Sequence, residues 1–184
     1  LNSLQLKVSY GTTGNSGTSA YNALALVGSG LLYNGQPGIA PSTVGNDNLT
    51  WESMKTLNVG ISTRVFDRFS VELEFYNRQT DDMLMGYPLS YTTGHGSSVE
   101  NVASMRNRGF DITLGVDILK TRDFSWSVSG NLNYNKNEIT KLFNGLDEYT
   151  LPDTGLKMKV GKPWGEYYYV KWAGVDPRDG YNTW

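Results

Sequence analysis

The chain has 184 residues, no cysteine and a formal net charge of −2, with a pI of about 5.4 and a mean hydropathy of −0.41. That length suits one ordinary domain. The missing cysteine excludes a disulfide framework and a thiolate metal site, and nothing in the charge balance suggests nucleic-acid binding, which calls for clustered Lys and Arg. No window approaches the roughly 20 apolar residues of a membrane helix. None longer than about ten residues keeps a 3.6-residue apolar period, so the chain reads as all-β. A low mean hydropathy does not exclude a membrane β-barrel, in which lipid-facing and lumen-facing residues alternate and average out. The chain begins at Leu1 and ends at Trp184 just past a turn, and it reads as a piece of a larger protein.

A first strand is expected from Leu4 to Tyr10. A Gly/Asn/Ser/Pro-rich stretch follows from Gly11 to Asn48, with a more apolar middle at Tyr21–Leu32. Next comes a long hairpin, Thr50–Phe66 and Phe69–Leu84, turning around Asp67. In it Leu57, Val59, Ile61 and Val65 alternate with Asn58, Gly60, Ser62 and Arg64, and Phe69, Val71, Leu73 and Phe75 with Ser70, Glu72, Glu74 and Tyr76. This period of two is the strand signal. A loop from Met85 to Val102 leads to a second hairpin, Ala103–Leu119 and Phe124–Thr140, turning at Lys120–Asp123. A polar loop then reaches Gly161, an aromatic strand is expected at Gly165–Ala173, and Asp176–Gly180 reads as a turn by its Pro and Gly.

Centring the first hairpin on Asp67 pairs Val65 with Phe69, Ile61 with Leu73 and Val59 with Phe75. Centring the second near Thr121 pairs Ile118 with Phe124, Val116 with Trp126 and Leu114 with Val128. Both registers keep the apolar residues on one face, as a half-buried sheet requires. The polar faces of the four hairpin strands carry Arg64, Glu72, Glu74, Asp111, Asp117, Asn131 and Asn133 among small polar residues, and no lysine. A sandwich exterior in bulk water recruits lysine, so this chemistry points to a hydrated lumen. Each strand supplies the roughly 9–11 residues a tilted membrane strand needs. Phe66, Phe69, Phe75, Tyr76, Phe110, Phe124 and Tyr134 lie where interfacial girdles would put them. Connections alternate short and long, so in an up-and-down sheet the short turns share one end and the long loops the other. Barrels with short periplasmic turns and long extracellular loops have this asymmetry. The other reading is a soluble or surface β-sandwich, an adhesin or carbohydrate-binding module.

Several phrases then carry a resemblance. They are Val8-Ser9-Tyr10-Gly11, Asn48-Leu49-Thr50-Trp51-Glu52, Phe75 through Leu84, Asn107-Arg108-Gly109-Phe110-Asp111, Asn133 through Ile139, Gly165-Glu166-Tyr167-Tyr168 and Gly174-Val175-Asp176-Pro177. In this order they resemble the later barrel portion of SusC/RagA-type TonB-dependent outer-membrane transporters of Bacteroidetes. The resemblance implies a 22-stranded antiparallel transmembrane barrel of which residues 1–184 are one part, without the plug, the TonB box or the closing strand. It implies import of large nutrients, glycan oligosaccharides or peptides, across the Gram-negative outer membrane. It also implies a SusD-like surface lipoprotein as lid, coupling to TonB through an N-terminal region outside this segment, no cofactor and no enzymatic activity.

The residues offer little catalytic chemistry. His95, the only histidine, sits in a glycine-rich loop and reads as solvated rather than as a triad member. Glu72 and Glu74 point the same way from one strand, so they line a surface rather than flank a glycosidic bond. Asp81-Asp82 and Asp176 with Asp179 lack calcium-loop spacing. The aromatics at the long-loop end or in the last strand, Trp51, Tyr87, Tyr91, Trp164, Tyr167 and Tyr168, are the substrate-contact candidates, because aromatic faces stack on sugar rings and peptide side chains.

Overall fold

The computed structural model describes residues 1–17, 21–151 and 154–184. The expected loops at 11–48 and 141–161 therefore include short pieces, 18–20 and 152–153, outside the described residues. Five long strands build the main antiparallel sheet. In chain order the strands are β1 (Ser3–Asn15), a small hairpin of β2 (Val27–Tyr33) and β3 (Gln36–Pro41), β4 (Glu52–Val65), β5 (Phe69–Pro88), β6 (Ser97–Lys120) and β7 (Ser125–Lys141). Three short strands follow, β8 (Glu148–Thr150), β9 (Leu156–Lys159) and β10 (Glu166–Tyr167), then β11 (Gly174–Val175) and β12 (Asn182–Thr183). The main sheet runs β1-β4-β5-β6-β7, a meander that does not close on itself.

Alternation places whole rows of side chains on one face. Val8, Val59, Phe75, Phe110 and Tyr134 form one apolar row, and Leu6, Ile61, Leu73, Ile112 and Leu132 the next. Nothing among the described residues covers this face: Leu73, Phe75, Phe110 and Leu132 remain 40%, 46%, 39% and 60% exposed. The accessible surface totals 13580 Å², against roughly 8800 Å² expected for a compact water-soluble monomer of this mass. A sandwich would bury these rows against a second sheet; among the described residues they are uncovered. The apolar band from Phe66 to Phe75 is about 30 Å along the strand, or roughly 23 Å tall at the usual barrel tilt, close to the outward apolar band of a membrane barrel.

The first hairpin has the expected register, Val65 to Phe69, Ile61 to Leu73 and Val59 to Phe75. Its turn holds Phe66 and Asp67 at φ 53° and 54°, the left-handed pair whose twist suits a tight hairpin. Asn2 Oδ1 and Arg64 Nη2 bond the main chain of Asp67. The second hairpin is shifted two residues from the expected register, with Val116 opposite Val128 and Leu114 opposite Gly130. Ile118 bulges between Asp117 and Leu119. The turn moves to Thr121–Phe124, where the Thr121 hydroxyl accepts from Phe124 N. A two-residue shift preserves parity, so the apolar face survives.

The β5–β6 hairpin runs well past the expected loop boundaries at Met85 and Val102 and turns only at 89–96. Above Thr80 its ladder is interrupted, and Asp82 adopts φ 56°. Side chains satisfy the freed main chain there. Asn101 Nδ2 donates to the carbonyls of Asp82 and Thr50, Asn101 Oδ1 accepts from Thr50 N, and Glu52 Oε1 accepts from Leu84 N. The expected aromatic strand at Gly165–Ala173 is not a wall strand. Only Glu166–Tyr167 is extended, at the edge of a β10-β9-β8 sheet. The expected polar loop before Gly161 contains the rest of that sheet. It packs Leu142 and Met158 on Ile139 in a small buried cluster, because Ile139 N and O bond Lys162 and Gly161.

Gly109 has no room for a side chain. A Cβ there would collide with the Tyr134 carbonyl and lie 2.7 Å from the Tyr76 hydroxyl; Tyr76, its cross-strand partner, lies over the position. Gly109→Val in the full-length protein is therefore expected to destabilise the wall by about 1–3 kcal/mol, read as a lower urea midpoint for loss of heat-modifiable gel migration.

Candidate functional site

The opposite face of the sheet is polar, and it gathers residues far apart in sequence. Lys7, Gly60, Glu74, Asp111 and Asn133 form one row; Gln5, Ser62, Glu72, Thr113 and Asn131 form the next. Ser3, Arg64, Ser70, Gly115 and Ser129 make a third, and Asp117 sits opposite Ser127 beyond it. The seven polar residues singled out from the sequence thus share one surface.

Small residues let long side chains cross this surface. Lys7 reaches over Gly60 to Glu72, Nζ to Oε1 at 2.9 Å. Arg64 reaches past Ser70 and Gly115 to Asp117, Nη2 to Oδ2 at 3.0 Å. A Cβ on Gly115 would lie 2.5 Å from the Ser70 hydroxyl, so Ser70 itself fills the space beside Gly115. Both pairs are about half exposed, so each adds at most about 1 kcal/mol; their effect is to fix which groups face outward. Lys7 also puts a lysine on this face, which the four hairpin strands lack.

A depression of about 530 Å³ lies on the same face, lined by Asn58, Glu74, Tyr76, Arg78, Asn107, Asp111, Asn133 and Asn135. Asn133 Nδ2 donates to Asp111 Oδ1, and the Tyr76 hydroxyl to Asn135 Oδ1 at 3.1 Å. Arg78 and Asn107 were not singled out from the sequence; extending the alternation past Tyr76 and before Asp111 would have found them. Amides, carboxylates and one guanidinium at close spacing can exchange hydrogen bonds with a hydroxyl-rich or peptide chain. They do not place a nucleophile beside a base.

The aromatic candidates do not converge on one pocket. Tyr87 is engaged with the wall: its ring meets Phe143 edge-on at 5.4 Å and its hydroxyl accepts from Asn144 Nδ2 at 2.8 Å. Tyr91 is 88% exposed beside a depression of about 360 Å³ that Tyr149 also lines. Trp51 lies over Gly14, where a Cβ would sit 2.8 Å from its ring. Trp164 N donates to Asn137 Oδ1, tying the segment after Lys162 to β7. Tyr167 stacks on Tyr169 at 6.0 Å, and Lys157 Nζ stands 4.3 Å over the Tyr168 ring. His95 is at the tip of the β5–β6 hairpin, its main-chain N–H directed at Thr93 Oγ1.

A family model described as TonB dependent receptor-like, beta-barrel matches residues 1–184. The chain is 33% identical over 184 residues to the TonB-dependent receptor P39 of Formosa agariphila, covering all of this chain and 17% of that protein. It is 32% identical over 118 residues to the TonB-dependent receptor SusC of Bacteroides thetaiotaomicron, covering 63% of this chain and 12% of SusC. Among solved structures, the RagAB peptide transporter matches 98% of this chain and 20% of its own, at 42% identity and a TM-score of 0.88. The chain therefore spans about a fifth or less of the length of these relatives.

The small sheet at the long-loop end is pinned by charge. Lys157 and Lys159 hold Glu148 at 2.8 and 3.2 Å. Their bonds, that of Lys157 first, keep the Glu148 carboxyl below its ordinary range, and the bond to Glu148 raises the Lys157 ammonium. A depressed carboxylate contributes stability that is complete above its unfolded value and lost as pH falls through its folded value. Hydrogen-exchange protection of the Leu151 and Val160 amides, which close this sheet, is expected to fall on acidification through that range. Glu148→Gln should lower protection at neutral pH and flatten the acid limb.

Proposed function

We infer the role of this segment from one premise: the chain belongs to the TonB dependent receptor-like, β-barrel family. It is a stretch of wall of an outer-membrane transporter, with the apolar face in lipid and the polar face in the lumen. Arg64, Glu72, Glu74, Asp111, Asp117, Asn131 and Asn133 are then lumen-lining. The short turns at Phe66–Asp67 and Thr121–Phe124 face the periplasm, and the long excursions face outside. The whole protein imports large nutrients, glycan oligosaccharides or peptides, using energy delivered through TonB, with a SusD-like lipoprotein as lid. Its work is binding and passage rather than catalysis.

The observation that carries this reading is the uncovered pair of faces on one open sheet. Strands of up to 24 residues keep an exposed apolar surface on one side and a hydrogen-bonding, charge-bearing surface on the other. A membrane barrel, apolar outside and aqueous inside, supplies a matching solvent to each face. The 42% identity to a protein described as a peptide transporter favours peptides over glycans as the cargo to test first.

The full-length protein is expected in the outer-membrane fraction with heat-modifiable migration. Its deletion is expected to abolish uptake of one class of oligomer. Recovery as a detergent-free soluble monomer would sink the reading. Tyr91→Ala is expected to weaken cargo uptake about fivefold, the effect of losing about 1 kcal/mol of contact, with the amount of folded barrel unchanged.

A further inference from the structure

The outward face is not apolar along its whole height. Directly above the stacked pair Phe110 and Tyr134, 5.4 Å apart, the same face carries Arg108 opposite Lys136, then Arg106 opposite Glu138. The alternation is unbroken from Phe110 up to Arg106, so these four charges point the same way as Phe110, Ile112 and Leu114, away from the polar groove. Three cations meet one carboxylate. All three contacts fall on a single oxygen, Glu138 Oε2, at 3.4 Å from Arg106, 3.5 Å from Arg108 and 3.8 Å from Lys136. Charge-assisted pairs close to about 2.7–2.9 Å when the carboxylate is the intended partner. Here Glu138 gathers the cations without saturating them, and two positive charges stay uncompensated within this group of four.

Donors are also left over. Arg106 Nε is buried without a hydrogen-bond partner, as is Oδ1 of Asn77, the residue opposite Arg108, whereas the side chains of Arg108 and Lys136 are nearly half exposed. Two guanidiniums and an ammonium, spaced by one strand separation and one two-residue step, fit the oxygens of a single phosphate. The level matters as well. The cations begin where the apolar band ends, with an aromatic pair between, the depth at which a bilayer passes from acyl chains to headgroups.

We propose that Arg106, Arg108 and Lys136 form a binding site for the phosphate of an outer-leaflet glycolipid, whose acyl chains lie against Phe110, Tyr134 and Leu132. This rests on the reading above, which puts the long-loop end outside the cell. Glu138 is a positioning residue that holds the three cations together until the phosphate joins them.

The test uses the full-length protein, purified from the outer membrane in mild detergent and stripped of lipid. Thermal unfolding is followed on adding phosphorylated outer-leaflet glycolipid, the same lipid after enzymatic dephosphorylation, or inorganic phosphate. The phosphorylated lipid alone is expected to raise Tm. The triple variant Arg106→Gln, Arg108→Gln, Lys136→Gln is expected to lose at least tenfold in apparent affinity, and Lys136→Gln alone several-fold, which keeps the test open should the triple variant not fold. Arg122→Gln, in a short turn at the opposite end, is expected to leave lipid binding unchanged. An equal Tm shift with dephosphorylated lipid or with inorganic phosphate, or unaltered binding by Lys136→Gln, overturns the proposal. Orientation is read separately, by labelling His95→Cys with a membrane-impermeant maleimide on intact cells. Failure to label, or loss of lipid from Arg122→Gln, would overturn the orientation itself.

Discussion

The ladder of main-chain hydrogen bonds between β1, β4, β5, β6 and β7 is the interaction on which everything else depends. In most domains of this size the elements are held by a buried core. Here the buried apolar residues among those described are few, and the main cluster of them, Ile139, Leu142 and Met158, lies at one end rather than between layers. Side chains on the two faces touch lipid or water in the proposed setting, so cohesion between strands must come from the backbone. An apolar solvent enforces this, because an unpaired N–H or C=O costs several kcal/mol there. It accounts for the unbroken pairing from Ser53 to Val65 against β5, with interruptions confined to the bulge at Ile118, the shift at Ser104–Met105 and the stretch where β5 rises past Thr80.

Where the ladder does break, side chains take over. Asn101 serves both Thr50 and Asp82, and Glu52 caps the Leu84 amide while accepting from Asn15 at its other oxygen. These bonds give the phrase around Trp51-Glu52 and the Asp81-Asp82 pair a structural role. Glu52 supplies an acceptor to the bulge, Asp82 its left-handed residue, and the Asp81 carboxylate takes Lys55 and Gln79 beside it. On the polar face the residues paired beside the long cations are small, Gly60 beside Lys7 and Ser70 beside Arg64.

The lower half of this wall was legible in the sequence because one period governs it. Each residue from Leu57 to Phe75 is assigned to one face or the other by parity, and the seven polar residues on one face followed directly. Register in the second hairpin was less legible. A single bulged residue, Ile118, and the Thr121 cap move the turn without disturbing the pattern, so the sequence is compatible with either position. The upper half was least legible. The excursion from Leu142 to Lys162 owes its strands to contacts with Ile139 and Asn137 far from the local pattern. The aromatic run Tyr167-Tyr168-Tyr169, which has strand propensity, is drawn into a small sheet by Glu148, Lys157 and Gly155. Tyr87 reads as a free loop aromatic and is instead a packed one.

This contrast between halves bears on specificity. A wall fixed by parity has little freedom to vary: changing Leu73 alters the uncovered apolar row, and changing Gly109 disturbs the ladder at Tyr134. The upper end is fixed by side-chain bonds to main chain, by a three-residue buried cluster and by exposed ion pairs of small individual worth. Such contacts can be exchanged one at a time without unfolding the sheet beneath them. Sequence differences between related walls can therefore accumulate above Thr80 and beyond Lys141 at little cost to folding, while the rows from Phe69 to Phe75 stay fixed by their parity.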